Sequence, residues 1–252
     1  MKYYFLISYL PEIHRDDKKL RFRVSDLLTE KVYFSEEDWA QIELVLLAND
    51  VLQVERLLSG KEVATDYQQF GREFWKEQIK SHKEVPEYFA EVFDLLLLEG
   101  VSPENLNFLY EAYYHHAMEN ASSPLFKTYL NFEKDLRNII AAIRARRKGF
   151  SPASYLVGEG DIVEALSRST AEDFGLSPEY PWIERLNAAK EPVDMEETIE
   201  QIIWETLDEM TEKMDFDFDV ILAYLLKLQL LERNLALSKE QGVEIVRQME
   251  EL

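Results

Sequence analysis

The sequence predicts a mainly α-helical protein built as a helical bundle. Apolar residues recur at helical spacing along most of the 252 residues, and several of these stretches begin at a helix-capping residue. Only 8 glycines and 8 prolines leave little material for turn-rich β structure. No Gly/Ser-rich linker or low-complexity tract divides the chain, so we expect residues 1–252 to form a single compact, mostly helical domain.

Helix starts are indicated where a serine precedes a helical pattern, because its hydroxyl accepts a backbone N–H of the first turn. At three of the five such sites a proline follows, which is the residue favoured at the first helical position. The five serines are Ser35, Ser102, Ser123, Ser177 and Ser238, the last of which is expected to begin the final helix. The segment 194–213 places its apolar residues on one face with acids around the rest, which is typical of an amphipathic helix.

The N-terminal segment is harder to assign. KYYFLISYL at 2–10 is rich in Tyr, Phe and Leu, has no helix cap and ends at Pro11, so a short strand and a first helix fit it equally well. We expect no targeting segment, because the apolar run is short and no small-residue cleavage site follows. The apolar run at 220–231 is shorter than the roughly 20 residues of a membrane span and is interrupted by Lys227, which predicts a buried helix.

Composition narrows the chemistry. The absence of cysteine excludes disulfides, Cys-ligated zinc, iron–sulfur clusters and thiol catalysis, and it fits a reducing cytoplasm. Four histidines and the absence of phosphate-binding and nucleophile-elbow glycine motifs leave few candidates for catalysis. We therefore expect no enzymatic activity and no cofactor. The formal net charge of −21 opposes binding to nucleic acid and favours cationic protein partners.

Two motifs suggest metal binding. Glu111, His115 and Glu119 are spaced i, i+4, i+8 and share one helical face, but a polar surface is the simpler interpretation because no second ligand motif completes a site. DFDFD at 215–219 resembles the start of a calcium loop, yet it lacks the required Gly at position six and Glu at position twelve. We expect no metal, and we expect 215–219 to connect two helices with its phenylalanines inward.

The most unusual segment of this acidic chain is the basic helix expected over 132–148. Its apolar residues form a buried stripe, and four cations fall on the opposite face. These are Lys134, Arg137, Arg144 and Lys148. Three interpretations stay open: a nucleic-acid surface, which the total charge disfavours, a plain solvated face, and a partner-binding surface for acidic elements. The acidic elements could be internal, since 191–219 carries twelve acids and one base.

A weak internal repeat is also visible. Asn49, Asn138 and Asn234 each come late in an apolar helical stretch, at separations of 89 and 96 residues. This spacing fits three related helical units. It also fits chance, because asparagine is favoured near helix ends by capping chemistry.

Four helical stretches carry a family resemblance that runs nearly end to end. They are YYFLISYLPEI…DDKKLRF at 3–22, FEKDLRNIIAAIRARRKGF at 132–150, DFGLSPEYPWIERL at 173–186 and FDFDVILAYLLKLQLLERNLALSKEQG at 216–242. They resemble an uncharacterised bacterial family whose members are encoded among the subunits of bacterial V-type ATPases. More distantly, the chain resembles the C subunit of A/V-type ATPases, called d in eukaryotes. Its helices carry a glutamate followed by an Asn-hydrophobic-Arg signature, which Glu133, Asn138 and Arg144 match.

The C subunit is an all-helical funnel of three similar units that sits on the membrane rotor ring and receives the central stalk. The resemblance therefore implies three units here, at about 1–85, 86–160 and 161–252. It implies a non-catalytic subunit that couples the stalk to the ring, with stalk and ring subunits as partners. The expected location is cytoplasmic, peripheral at the cytoplasmic face of the inner membrane and not inserted. The alternative is an assembly or regulatory adaptor that binds the ATPase transiently.

Overall fold

The computed structural model describes residues 3–61 and 67–250, with side chains of the last helix described as far as Leu237. This part of the chain forms eleven α-helices and no β-strand, as the helical periodicity predicts. The helices are α1 (Tyr4–Tyr9), α2 (Val24–Thr29), α3 (Glu36–Leu58), α4 (Arg72–Ser81), α5 (Glu87–Glu99), α6 (Pro103–Asn120), α7 (Pro124–Arg147), α8 (Asp161–Arg168), α9 (Ile183–Ala188), α10 (Pro192–Thr211) and α11 (Phe218–Glu250). Two short 3₁₀ helices, Glu30–Tyr33 and Pro152–Tyr155, lie between them.

The N-terminal segment is a helix and not a strand. The N–H of Ile7 donates to the carbonyl of Tyr3 at 2.9 Å, and the N–H of Leu10 donates to that of Leu6 at 3.1 Å. A strand would need a neighbouring strand for these groups, and the described residues contain none. The helical turn also brings Tyr3 and Leu6, three positions apart, into the core together, where they are 2% and 3% exposed.

Three of the five predicted serine starts are confirmed. The hydroxyls of Ser35, Ser102 and Ser123 accept backbone N–H groups at 2.9 to 3.2 Å at the starts of α3, α6 and α7. The prediction at Ser238 is wrong, because this position lies inside α11, which begins at Phe218. The prediction at Ser177 is also wrong, because the residues around it form turns. Pro181 supplies a physical reason, since a proline disfavours helical geometry in the residue before it and leaves no room for a helix here.

The chain forms two compact units. The first consists of Met1–Trp39 with Ile199–Leu252, and the second is Ala40–Thr198. The boundaries fall within α3 and α10 and differ from those of the three ranges expected from the resemblance. The single domain and its three internal ranges stay predictions.

In the first unit, an aromatic cluster closes the core around the start of α11. The ring of Tyr3 lies 5.6 Å from that of Phe34 and 6.0 Å from that of Phe218, between centroids. The predicted link over 215–219 is confirmed only for 215–217, because Phe218 and Asp219 already belong to α11. Its phenylalanines do face the protein: Phe216 packs 4.6 Å from Tyr4, while the aspartates on either side of it are exposed. Burial of such rings is a large part of what stabilises a core.

In the second unit, the core is built on α4 to α7. Trp75 is fully buried, and its ring lies 6.0 Å from those of Phe89 and Phe93 on α5. The predicted apolar stripe of α7 is confirmed at its centre, where Ile139 is 0% and Ile143 is 3% exposed. Of the helices that the structure describes, none has both the length and the apolarity needed to cross a lipid bilayer.

Candidate functional site

The basic residues of α7 divide into two groups. The guanidinium of Arg137 lies 3.2 Å above the ring of Tyr110, so this cation is engaged within the second unit. Arg144 donates from Nη2 to Oε1 of Glu196 at 3.0 Å. Lys148 ends the helix and is exposed, and Lys134 is half-buried. The four therefore do not form one uniformly open face. Partner binding by these residues stays a prediction.

The pair Arg144–Glu196 connects the basic helix with the acidic segment that follows it. Glu196 is one of the twelve acids of 191–219, so one internal acidic element does contact the basic helix. The side chains of Arg144 and Glu196 are 51% and 37% exposed. Solvent screening keeps such a pair within about 1 kcal/mol of stabilisation. The contact therefore orients the two helices more than it stabilises them.

The C-terminal arginines of α7 hold the segment that follows α8. Arg146 donates to the carbonyls of Ser169 and Ala171, the latter at 2.6 Å, and its guanidinium lies 3.7 Å above the ring of Phe174. Arg147 donates to the carbonyl of Leu186 at 3.0 Å near the end of α9, where a cation complements the helix dipole. Both arginines therefore act inside the fold.

Between α6 and α7 a carboxylate is buried among tyrosines. The hydroxyl of Tyr114 donates to Oε2 of Glu133 at 2.9 Å. Loss of water around Glu133 raises the pKa of its carboxyl group. The same burial raises the pKa of Tyr113, Tyr114 and Tyr129 far above the ordinary phenol value, with the charge of Glu133 adding to the effect. The tyrosines therefore stay neutral, as hydrogen-bond donors and packing surface.

Arg137 joins this cluster to a second, half-buried acid, Glu55. The hydroxyl of Tyr110 donates to Glu55 on α3, and burial raises the pKa of that hydroxyl. Arg137 lies over the Tyr110 ring and one helical turn from Glu133. Its positive charge lowers the pKa of both Glu133 and Tyr110, which offsets part of the increase that burial causes. A charge that compensates acids inside the fold is structural, because its removal would leave those acids without a nearby cation.

Asp50, on α3, holds the chain segment that leads into α4. Its carboxylate accepts the backbone N–H of Gln69 at 2.6 Å, of Phe70 at 3.1 Å and of Gly71 at 3.3 Å. It also accepts the indole N–H of Trp75 at 2.6 Å. Desolvation nevertheless raises the pKa of this fully buried acid.

Two other long helices make a contact of the same kind. On α7, the side-chain amide of Asn138 donates to the carbonyl of Val157 at 3.0 Å and accepts its N–H at 2.8 Å, ahead of α8. On α11, Oε1 of Glu232 accepts the N–H of Val24 at 2.7 Å, at the start of α2. We call Asp50, Asn138 and Glu232 the three anchor residues.

The anchor residues occupy equivalent positions. Each is the fifteenth residue of its helix, counted from the starts of α3, α7 and α11. Asp50 and Asn138 each contact a backbone N–H 19 residues further along the chain. Two of the helices also share a serine cap, since Ser35 and Ser123 stand one position before their starts.

The repeated asparagines of the sequence identified only one anchor residue. Asn138 is an anchor, whereas Asn49 is the neighbour of one and donates to the carbonyl of Tyr67 at 3.1 Å. Asn234 donates to Glu200 at 2.7 Å. Sequence reasoning missed Asp50 and Glu232 because they are carboxylates. Counting fifteen residues from the helix starts that the structure shows identifies both.

The proposed metal ligands form no site. Nδ1 of His115 lies 3.4 Å from Oε2 of Glu119, both side chains are largely exposed, and so is Glu111 on the same face. Within the ranges 3–61 and 67–237, no group of three or more His, Asp or Glu side chains is arranged to hold a metal ion.

A cleft of about 570 Å³ lies in the first unit between α1, α10 and α11. Three of the polar side chains that line it are paired. Lys227 bonds to Asp208 and lies 5.2 Å above the ring of Trp204, and the hydroxyl of Tyr224 donates to the carbonyl of Pro11 at 3.0 Å. The pKa of Tyr224 is raised to about 12 by burial, so its hydroxyl stays protonated.

These features define an all-α protein whose buried polar groups hold helices and loops together. The chain belongs to the DUF2764 family, described as a protein of unknown function, whose family model matches residues 1–251. It is 25% identical over 263 residues to an uncharacterized protein of Chlamydia muridarum (strain MoPn / Nigg), and this alignment covers 99% of the chain and 97% of the relative. No solved structure matches the chain.

Proposed function

We propose that the protein is a non-catalytic subunit of a bacterial V-type ATPase. It would couple the central stalk to the rotor ring while it lies peripherally at the cytoplasmic face of the inner membrane. The observation that carries this proposal is the threefold recurrence of one contact, in which the fifteenth residue of a long helix holds the backbone leading into a short helix.

The recurrence supports the proposal because the resemblance to the ATPase C subunit implies three similar helical units. Each of the three contacts joins one long helix to one short one: α3 to α4, α7 to α8, and α11 to α2. In the third pair the short helix precedes the long one along the chain, as the numbers of Glu232 and Val24 show.

The use of the buried ionisable groups supports a non-catalytic role. A catalytic base or nucleophile has to reach a substrate. Asp50 is instead occupied by four N–H groups, and Glu133 by the hydroxyl of Tyr114. Their raised pKa values follow from burial within the packed core, which is also how structural acids behave.

The test is affinity purification of a chromosomally tagged copy from detergent-solubilised membranes of the native bacterium. We expect stalk and ring subunits of the ATPase to be recovered with the protein at one copy per complex. A tagged protein that recovers no ATPase subunit would end this proposal. Recovery well below one copy per complex would instead support the alternative, an assembly or regulatory adaptor that binds the ATPase transiently. The apolar side chains exposed at the corner between α5 and α6 are a reason to consider this alternative.

A further inference from the structure

The corner between α5 and α6 presents apolar side chains to solvent. The four members of this apolar corner are 44% to 82% exposed. They are Leu97, Leu98, Val101 and Phe108. Isolated exposed apolar residues are ordinary, but four within twelve positions concentrate exposed apolar surface at one corner, as interaction surfaces do.

The corner is held in a fixed conformation. The buried side chain of Asn105 donates from Nδ2 to the carbonyl of Gly100 at 2.9 Å, which ties the first turn of α6 to the end of α5. Ser102 caps α6, and Gly100 has a φ of +83°, which favours glycine. A preformed apolar surface loses little conformational entropy when a partner binds.

The acidic and basic residues of the chain segment that contains the corner all have one sign. Between residues 84 and 126 the sequence contains no lysine or arginine and eight acids, and all eight are exposed. They are Glu84, Glu87, Glu91, Asp94, Glu99, Glu104, Glu111 and Glu119. Asp94 stands one turn before Leu97 and Leu98 on α5, and Glu104 one turn before Phe108 on α6, so the acids border the apolar residues.

We propose that the apolar corner is the docking surface for a cationic amphipathic helix of a protein partner. The apolar stripe of that helix would cover Leu97 and Leu98, and its lysines and arginines would face the surrounding acids. Such complementarity accelerates association and selects the partner. The surface goes beyond the proposed ATPase function, because its partner is defined by chemistry alone.

Two other occupants are disfavoured by the same charges. A second copy of this chain in a two-fold symmetric dimer would bring the acids of one corner against those of the other. An anionic lipid surface would be repelled by them as well. A cationic helix is the occupant that satisfies both the apolar residues and their acidic border.

The experiment uses the full-length protein and a fluorescently labelled amphipathic peptide of about 18 residues, made of Leu on one face and Lys on the other. A peptide with the same composition in scrambled order is the control ligand. We expect the amphipathic peptide to bind at least about tenfold more tightly than the scrambled one. We expect Leu97→Ser/Leu98→Ser to remove about that factor, and Asp94→Lys/Glu99→Lys to reduce the salt dependence of binding.

The matched control variant is Val32→Ser, which changes a residue of the first unit that is 83% exposed. It should bind the peptide as the wild type does, and unchanged urea midpoints would show that the variants fold. Equal binding of both peptides, or an unaltered affinity in the double leucine variant, would overturn the proposal. So would a dimer that dissociates on that substitution, or flotation with phosphatidylglycerol vesicles that depends on the two leucines.

Discussion

The side chain of Asn138 forms hydrogen bonds with both polar groups of the backbone of Val157. Nδ2 donates to the carbonyl at 3.0 Å, and Oδ1 accepts the N–H at 2.8 Å. The two residues are 0% and 1% exposed, so no water could replace either bond. The amide side chain of Asn138 pairs both the N–H and the carbonyl of one residue, as a neighbouring strand does in a sheet. It thereby fixes the path of the chain into α8.

Asn138→Ala should destabilise the protein by about 2 to 4 kcal/mol, because it leaves a buried N–H and a buried carbonyl unpaired at about 1–3 kcal/mol each. Urea denaturation measures the change. Asn131→Ala is the control: this exposed asparagine of the same helix bonds only to the carbonyl of Lys127, and its removal should change stability by less than about 0.5 kcal/mol. Similar losses in both variants would contradict the role assigned to Asn138.

The three anchor residues should act locally. Glu232→Ala should increase hydrogen exchange at the amide of Val24 and leave that of Val157 unchanged, whereas Asn138→Ala should do the reverse. Glu232→Gln should restore protection at Val24, because its amide oxygen still accepts the bond. Exchange that rises equally at both amides in either variant would show global loosening instead.

Glu133→Gln should stabilise the protein increasingly as the pH rises. Burial raises the pKa of Glu133 in the folded state above its unfolded value of about 4.3. Its contribution to stability is therefore fully present below the unfolded pKa and is lost as the pH rises through the folded one. Glutamine keeps an acceptor for Tyr114 without the charge, so the variant should gain over the wild type as the pH rises from about 4.3 towards neutrality.

Urea denaturation across that range measures the difference between Glu133→Gln and the wild type. The control is Glu111→Gln, which removes an exposed carboxylate of α6. If Glu111→Gln changed the free energy of unfolding by the same amount and with the same pH dependence, the burial of Glu133 would not be the cause of the effect.

Charge reversal along α7 should separate folding from docking. Arg137→Glu should lower the urea midpoint, because it places a third acid beside Glu55 and Glu133 and removes the cation over Tyr110. Lys148→Glu should leave the midpoint unchanged, since Lys148 is exposed. If the predicted partner surface exists, Lys148→Glu should also reduce recovery of ATPase subunits in the affinity purification. An unchanged recovery would remove Lys148 from that surface.

The Arg144–Glu196 pair should contribute little to stability. A double-mutant cycle with Arg144→Ala and Glu196→Ala should give a coupling energy below about 1 kcal/mol, and high salt should reduce it further, because both side chains are partly exposed. A coupling energy well above that value would mean that the pair is more desolvated than its exposure indicates.

Much of the fold was predictable because its signals are local. A serine cap and an apolar stripe act within one helix, which is why the starts at Ser35, Ser102 and Ser123 and the stripe through Ile139 were found. In 2–10 the local sequence fitted a helix and a strand equally well. The segment is a helix because the described chain contains no strand with which it could pair.

The roles of the polar residues were much less predictable. Arg137 was placed on an outer face by the helical wheel, but the ring of Tyr110 from α6 covers it in the folded chain. A wheel describes one helix and carries no information about its neighbours. Two of the anchor residues were missed for a related reason. A carboxylate and an amide can accept the same N–H, so three different residue types, Asp, Asn and Glu, fill one structural role.

The three anchor contacts have a mechanical consequence. A loop joined to its helices only at its ends behaves as a spring, and it stores work as bending when one helix is twisted against another. Where the fifteenth residue of a long helix forms hydrogen bonds with the backbone ahead of a short helix, the connecting loop can no longer bend freely at that point. Torque applied to one of these helices would pass on to the short helix that it holds with little loss to elastic deformation between them.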